Sequence, residues 1–204
     1  MAVRSSATAE DSTQASWAGE LESYLNTTEK NLLGHVKQCW SSLFTPRAIF
    51  YRHEKKLHKA KVSVAVVIQT MVQSTIAGIA FTVHPVTKDK NQMIIEAGYG
   101  LGEAVVSGQI TPDSYVVNKK TLALLDINVA EQLKYLQGKP AGGNVWKSVS
   151  PHSRRTQKLT GKEIVVLAKI CLGIEKHYGF PCDIEWAFAG GKFYITQSRP
   201  ITTL

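Results

Sequence analysis

The chain has 204 residues, 44% of them hydrophobic, with a formal net charge of +8 at pH 7. That is enough apolar material for a core of one domain or two lobes; no run approaches a membrane span, and Met1-Ala2-Val3-Arg4-Ser5-Ser6 lacks the apolar heart of a signal peptide, so a soluble globular protein is expected. Cys39, Cys171 and Cys182 are widely spaced without a Cys-x-x-Cys pair, which argues against a disulfide framework or zinc site and for a reducing, cytoplasmic setting.

The charge favours anionic partners without choosing among them. Its basic residues are scattered apart from Arg52 to Lys61, and no aromatic-basic interleaving marks an RNA platform.

From the N-terminus, Val3-Arg4-Ser5 predicts a short strand running into a small-residue loop that continues through Ser16-Trp17-Ala18-Gly19-Glu20. Small residues let backbone N–H groups approach a phosphate, and Arg4 adds a positive charge; the competing reading is a flexible tail. Thr27 and Thr28 precede a segment with Leu32, Leu33, Val36, Trp40 and Leu43 near helical spacing. Thr45-Pro46 opens a second helix carrying Ala48, Ile49 and Tyr51. Both helices are expected to pack, leaving Arg52 to Lys61 as a solvated face.

The β-branched run Val62 to Val72 predicts a strand buried on both faces. Its end, Gln69-Thr70-Met71-Val72, can offer backbone groups to a purine edge with Met and Val against the ring, or can simply pack in the core. Ala77 to Pro85 and Gln92 to Ala97 add two strands, and the short turns among the three predict an antiparallel meander. Gly98-Tyr99-Gly100-Leu101-Gly102-Glu103, running on to Gly108, resembles a phosphate-cradling loop but does not fit the dinucleotide fingerprint.

Thr111-Pro112-Asp113 reads as a turn, and Ser114 to Asn118 with Leu122 to Ile127 as a hairpin. Gly138 to Arg155, rich in Gly, Pro and basic residues, reads as a mobile excursion. Thr160-Gly161-Lys162-Glu163 has capping-box spacing, and Leu167, Cys171, Ile174 and Tyr178 carry a helical stripe to Gly179.

Pro181 to Pro200 reads as a hairpin around Ala189-Gly190-Gly191. A two-residue Gly190-Gly191 loop pairs Glu185 with Thr196 and turns Gln197 and Arg199 away from the acids. A three-residue loop, Ala189 to Gly191, pairs Asp183 with Gln197 and Glu185 with Ile195. It gathers Asp183, Glu185, Gln197 and Arg199 on one face and puts Ile184, Trp186, Tyr194 and Thr196 on the other. Two carboxylates, an amide and a guanidinium suit a metal-polyphosphate complex, since hard cations take oxygen ligands and Arg offers phosphate a fork of donors; the alternative is a solvated outer face.

Jointly and in order, Val3-Arg4-Ser5-Ser6-Ala7-Thr8-Ala9-Glu10-Asp11, Ala15-Ser16-Trp17-Ala18-Gly19-Glu20, Gly100-Leu101-Gly102-Glu103 before Pro112-Asp113, and Asp183-Ile184-Glu185-Trp186 with Gln197-Ser198-Arg199-Pro200 resemble the nucleotide-binding domain of the phosphoenolpyruvate synthase family. Pyruvate phosphate dikinase and rifampin phosphotransferase have similar domains. The resemblance implies an α+β fold of ATP-grasp type, in which two lobes hold ATP, with a largely antiparallel sheet and packed helices. The domain is expected to be incomplete at its N-terminal lobe, with 1–60 as phosphate-loop and helical segment and 61–204 as the main lobe ending in the hairpin.

The same resemblance implies ATP and Mg2+. Arg4 would stabilise charge on the transferring phosphates, and Gly19 would lie in the loop covering them. Gln69, Met71 and Val72 would border the adenine, Glu185 and Gln197 would hold Mg2+, Arg199 would contact phosphate, and Asp183 is the lesser candidate behind them. With the three-residue turn adopted, all four hairpin residues serve one site.

In that family ATP, pyruvate and water yield phosphoenolpyruvate, AMP and phosphate through a histidine on a separate swivelling domain. None of His35, His53, His58, His84, His152 or His177 resembles that histidine's context. The phosphohistidine-carrying and pyruvate-binding domains are therefore expected as partners outside this fragment, which alone is expected to be inactive, with no nucleic acid or membrane partner. The alternatives are a fragment of a rifampin phosphotransferase-like kinase and an ATP-binding module without catalysis.

Overall fold

The computed structural model describes residues 1–8, 17, 19–57 and 61–201. It is a mixed α/β fold with mostly antiparallel sheets, dividing into two compact units: 1–71 with 138–144, and 72–137 with 145–204.

In the first unit, strand β1 (Ala2–Ala7) lies between β2 (Ser23–Tyr24) and β3 (Val64–Gln69), antiparallel to both. Helix α1 (Glu29–Ser41) follows Thr28, and α2 (Pro46–Glu54) starts as predicted, with proline in its first turn and the Thr45 hydroxyl accepting from the Ala48 N–H. Ala7, Trp17, Leu43, Ala48 and Val62 form the core. The Cys39 thiol is buried against the backbone of Val3 and Glu22.

Two expectations are corrected here. The run Val62 to Val72 is not buried on both faces: among the described residues β3 pairs only with β1, and Val67 and Ile68 are half-exposed. Its β-branched residues meet a neighbour on one side only, so β3 is an edge strand. The apolar stripe of α1 is also split. Cys39 faces inward, whereas Leu33 and Trp40 face out, because the apolar residues occupy two sides of the helix rather than one.

The second unit is built on a six-stranded sheet in the order β11 (Lys192–Pro200), β10 (Cys182–Ala189), β4 (Ile76–Phe81), β5 (Gln92–Tyr99), β6 (Asp113–Asn118), β7 (Leu124–Asn128), every pair antiparallel. The meander thus runs from β4 to β7 and excludes β3, and the chain returns to insert the C-terminal hairpin beside β4. A short helix, α3 (Glu103–Val106), separates β5 from β6.

Helix α4 (Gly161–Tyr178) covers one face of this sheet, burying Ile164, Leu167, Ala168 and Cys171 against Ile95, Tyr115, Ile184 and Trp186. Its predicted capping box is present: the Thr160 hydroxyl accepts from the Glu163 N–H and the Glu163 carboxylate from the Thr160 N–H. Gly179 ends the helix at φ +78°, a left-handed backbone that a side chain would strain. The supposed excursion from Gly138 to Arg155 is instead tied down: it starts at the end of β8 (Lys134–Gly138), returns as that strand's partner β9 (Asn144–Ser148), and makes a single helical turn at Pro151–Ser153.

Among the described residues no helix is long and apolar enough to cross a membrane.

Candidate functional site

The C-terminal hairpin turns on two residues, not three. Ala189 pairs with Lys192, and both Gly190 and Gly191 have positive φ, as a type I′ loop requires. Alone, that turn would set Glu185 against Thr196. The register shifts between Glu185 and Trp186, however, so Trp186 faces Ile195 while Glu185 faces Gln197 and Asp183 faces Arg199. Thr196 is the extra residue of a β-bulge, which moves the rest of β11 by one position.

The four polar residues do share a face, because of the bulge and not the turn. Tyr194, opposite Ala187, joins that face, whereas Phe193 and Ile195 take the core-side positions expected of Tyr194 and Thr196.

Arg199 donates from Nε at 2.9 Å and from a terminal nitrogen at 2.7 Å to the same oxygen of Asp183, which is nearly buried. Two bonds to one carboxylate fix the plane of the guanidinium. Paired strands continue this face across the sheet. One row reads Arg199, Asp183, Phe81, Ile94, Val116, and the next reads Gln197, Glu185, Ile79, Glu96, Ser114. An amide, two carboxylates and a guanidinium therefore edge a floor of Ile79, Phe81, Ile94 and Val116 that also carries Glu96 and Ser114, on the side of the sheet away from α4.

Glu96 was not found by reading the sequence. It is an isolated acid in the buried run Met93 to Ala97, and that isolation was the available signal. Among the described residues its carboxylate has no hydrogen-bond or ion-pair partner. Burial first, and then the negative charge of Asp183, push its pKa above the ordinary 4.5. The folded state therefore holds this proton more tightly than the unfolded state, and stability falls as pH rises from 4.5 through the raised native value. Glu96→Gln should remove that decline. Urea unfolding between about pH 4 and 8 should show the two proteins converging at the acid end and the variant ahead at the alkaline end; parallel curves would refute this.

In the first unit, Arg4 sits on β1 between Ser23 and Val67 and donates to the Gln69 amide oxygen at 3.4 Å, so these two predicted residues stand together. Met71, the last residue of this unit's first segment, and Val72, the first of the second unit, are partly exposed rather than sealed in a core. Gly19 has φ +72° with open space where a Cβ would be; 9–16 and 18 of the same predicted loop, like His58 in the basic stretch, lie outside the described residues. In the second unit the hairpin brings Asp183, Glu185, Gln197 and Arg199 together.

The glycine cluster after β5 is explained by packing. A Cβ on Gly98 would press on Ile110 and Val105, and one on Gly100 would meet the backbone of Leu136, to which Leu101 donates at 2.9 Å. Asp113, read as part of a turn, instead begins β6 and is fully buried with Lys158. Among the described residues no three His, Cys, Asp or Glu side chains gather as a metal site.

Residues 1–204 match the family described as pyruvate phosphate dikinase, AMP/ATP-binding domain. The whole chain aligns with a probable phosphoenolpyruvate synthase of Methanocaldococcus jannaschii at 48% identity and with the phosphoenolpyruvate synthase of Pyrococcus furiosus at 45%. It aligns equally completely with a rifampicin phosphotransferase of Bacillus cereus at 44%. It spans only 17%, 26% and 23% of those three proteins, respectively.

Proposed function

The chain belongs to the pyruvate phosphate dikinase AMP/ATP-binding domain family, and from that membership we propose that it is the ATP-binding portion of a phosphoenolpyruvate synthase-like phosphotransferase, of ATP-grasp type. The observation that carries the reading is the bulged hairpin, which aligns Glu185 with Gln197 and Asp183 with Arg199 on one face.

Glu185 and Gln197 supply neighbouring carboxylate and amide oxygens, a donor set that suits Mg2+, which needs only one or two protein ligands beside phosphates. The cation would neutralise charge on the phosphate oxygens when bound. Arg199, held flat by Asp183, presents its guanidinium to a phosphate, and Asp183 acts through Arg199 rather than on the metal. Ile79, Phe81 and Ile94 offer apolar surface beside the polar edge. Arg4 contributes positive charge toward the phosphates and Gly19 a close backbone approach, while Gln69, Met71 and Val72 border the base.

In the whole enzyme, ATP, pyruvate and water would give phosphoenolpyruvate, AMP and phosphate, the phosphoryl group passing through a histidine outside this chain. Likeness to rifampicin phosphotransferase supports a second acceptor served by the same nucleotide chemistry.

The test joins this chain to the flanking sequence of the Pyrococcus furiosus enzyme and titrates a fluorescent ATP analogue with and without Mg2+. Glu185→Ala should weaken binding at least tenfold with Mg2+ and little without it, and Arg199→Ala should weaken it under both conditions. Absence of binding, or variants that bind like the parent, would overturn the reading.

A further inference from the structure

The helices of the first unit carry a set of apolar side chains that its core does not use. Leu33 is 74% exposed, Phe44 69%, Phe50 67%, and Trp40 and Ile49 53% each. Leu33, Trp40 and Phe44 fall at i, i+7 and i+11, one line along α1 and into the turn beyond it; Ile49 and Phe50 open α2 immediately afterwards. The inner sides of these segments, through Leu43, Ala48 and Tyr51, already fill the core with Trp17. A single exposed apolar residue has no meaning, but five large ones, three of them aromatic, on successive helical segments are the kind of exposure that marks an interaction surface.

The surrounding charge selects the occupant. Lys30 and Lys37 alternate with Leu33 and Trp40 along the exposed line of α1, and Arg47, Lys55 and Lys56 are exposed around α2, outweighing the two exposed acids of these helices, Glu29 and Glu54. Among the described residues, Arg47 alone of these five cations pairs with acids, Glu22 at 3.1 Å and Glu20 at 3.9 Å. A second copy meeting this face about a two-fold axis would bring like charges together. A bilayer calls for a longer unbroken apolar stripe than one interrupted by Gly34 and Lys37.

We propose that this face docks a protein segment that is apolar along one side and edged by Asp and Glu, in the manner of an amphipathic helix laid on an apolar surface. Aromatic side chains form the centre of the contact, and the lysines steer and register the partner.

The probe is a fluorescein-labelled amphipathic helical peptide with Leu and Phe on one face and Glu on the other, measured by anisotropy against this chain. Its counterpart carries Lys in place of Glu, and phosphatidylserine vesicles form a third arm. The acidic peptide should bind at least tenfold more tightly than the basic one, and Phe44→Ser with Phe50→Ser, which keeps the charge, should weaken it at least tenfold. Its binding should also shift the emission of the parent to the blue, and Trp40→Phe should abolish that shift. If the double variant melts early, Lys37→Glu serves instead and should cost about fivefold or more. Equal binding of both peptides, binding indifferent to these substitutions, or vesicle binding lost in the same variants would overturn the proposal.

Discussion

Asp113→Ala should destabilise the second unit by about 3–5 kcal/mol, read as a drop in urea midpoint at unchanged slope. Each oxygen of this carboxylate accepts two hydrogen bonds. One takes the Lys158 ammonium at 2.8 Å and the Ala130 N–H at 3.0 Å; the other takes the Tyr115 hydroxyl at 2.8 Å and the Lys158 N–H at 2.9 Å. Neither side chain of the ion pair reaches solvent. Removing the carboxylate leaves a buried ammonium with the Ala130 carbonyl, at 2.8 Å, and the nearby Tyr99 ring.

Stranding one charge costs far more than removing both, because the survivor keeps its desolvation penalty without the compensating attraction. The double variant Asp113→Leu with Lys158→Met should therefore lose less than Asp113→Ala alone. A loss below about 1 kcal/mol in the single variant, or a double variant that is worse, would contradict this account.

Gly78→Ala is expected to cost about 3 kcal/mol, through backbone obstruction rather than through any lost contact. An added Cβ would overlap the Glu96 carbonyl oxygen on the neighbouring strand and lie 2.9 Å from the Trp186 ring. The ring can give way; the carbonyl belongs to the sheet ladder and cannot move without disturbing the β4–β5 pairing. Because β4 lies between the strands carrying Glu185 and Glu96, the face that holds these two acids would be disturbed too. Gly102→Ala, whose Cβ would sit in ordinary contact 3.5 Å from Ala77, is the control and should melt with the parent. If both variants melt alike in a thermal scan, steric obstruction at Gly78 is not the constraint.

What could be read from the chain was local. The Thr160–Glu163 cap, the stop at Gly179, the proline start of α2 and the C-terminal hairpin each depend on residues within a few positions of one another, and all are present. What could not be read was set by neighbours remote in sequence. The apolar run of β3 would suit a central strand equally well, and only its pairing on one side makes it an edge. Gly98 and Gly100 look like a phosphate loop until Ile110 and Leu136 are seen pressing on them. Asp113 and Lys158 are 45 positions apart, with no periodicity joining them. The family, by contrast, was legible because several short motifs recur in a fixed order, a signal independent of where each residue packs.

Thr196 makes the two ends of the C-terminal hairpin independent in parity. Between Trp186 and Ala189 side-chain facing is counted from the glycine turn, whereas from Glu185 back to Cys182 it is counted from the bulge. The bulge thus adds one residue of offset, so that a two-residue glycine turn at the tip and a Glu185–Gln197 pairing at the base coexist in one hairpin. Straightening the bulge with Thr196 retained would set Thr196 against Glu185 and send Gln197 and Arg199 to the helix side of the sheet, whereas deleting Thr196 would keep Gln197 opposite Glu185 and the polar edge intact.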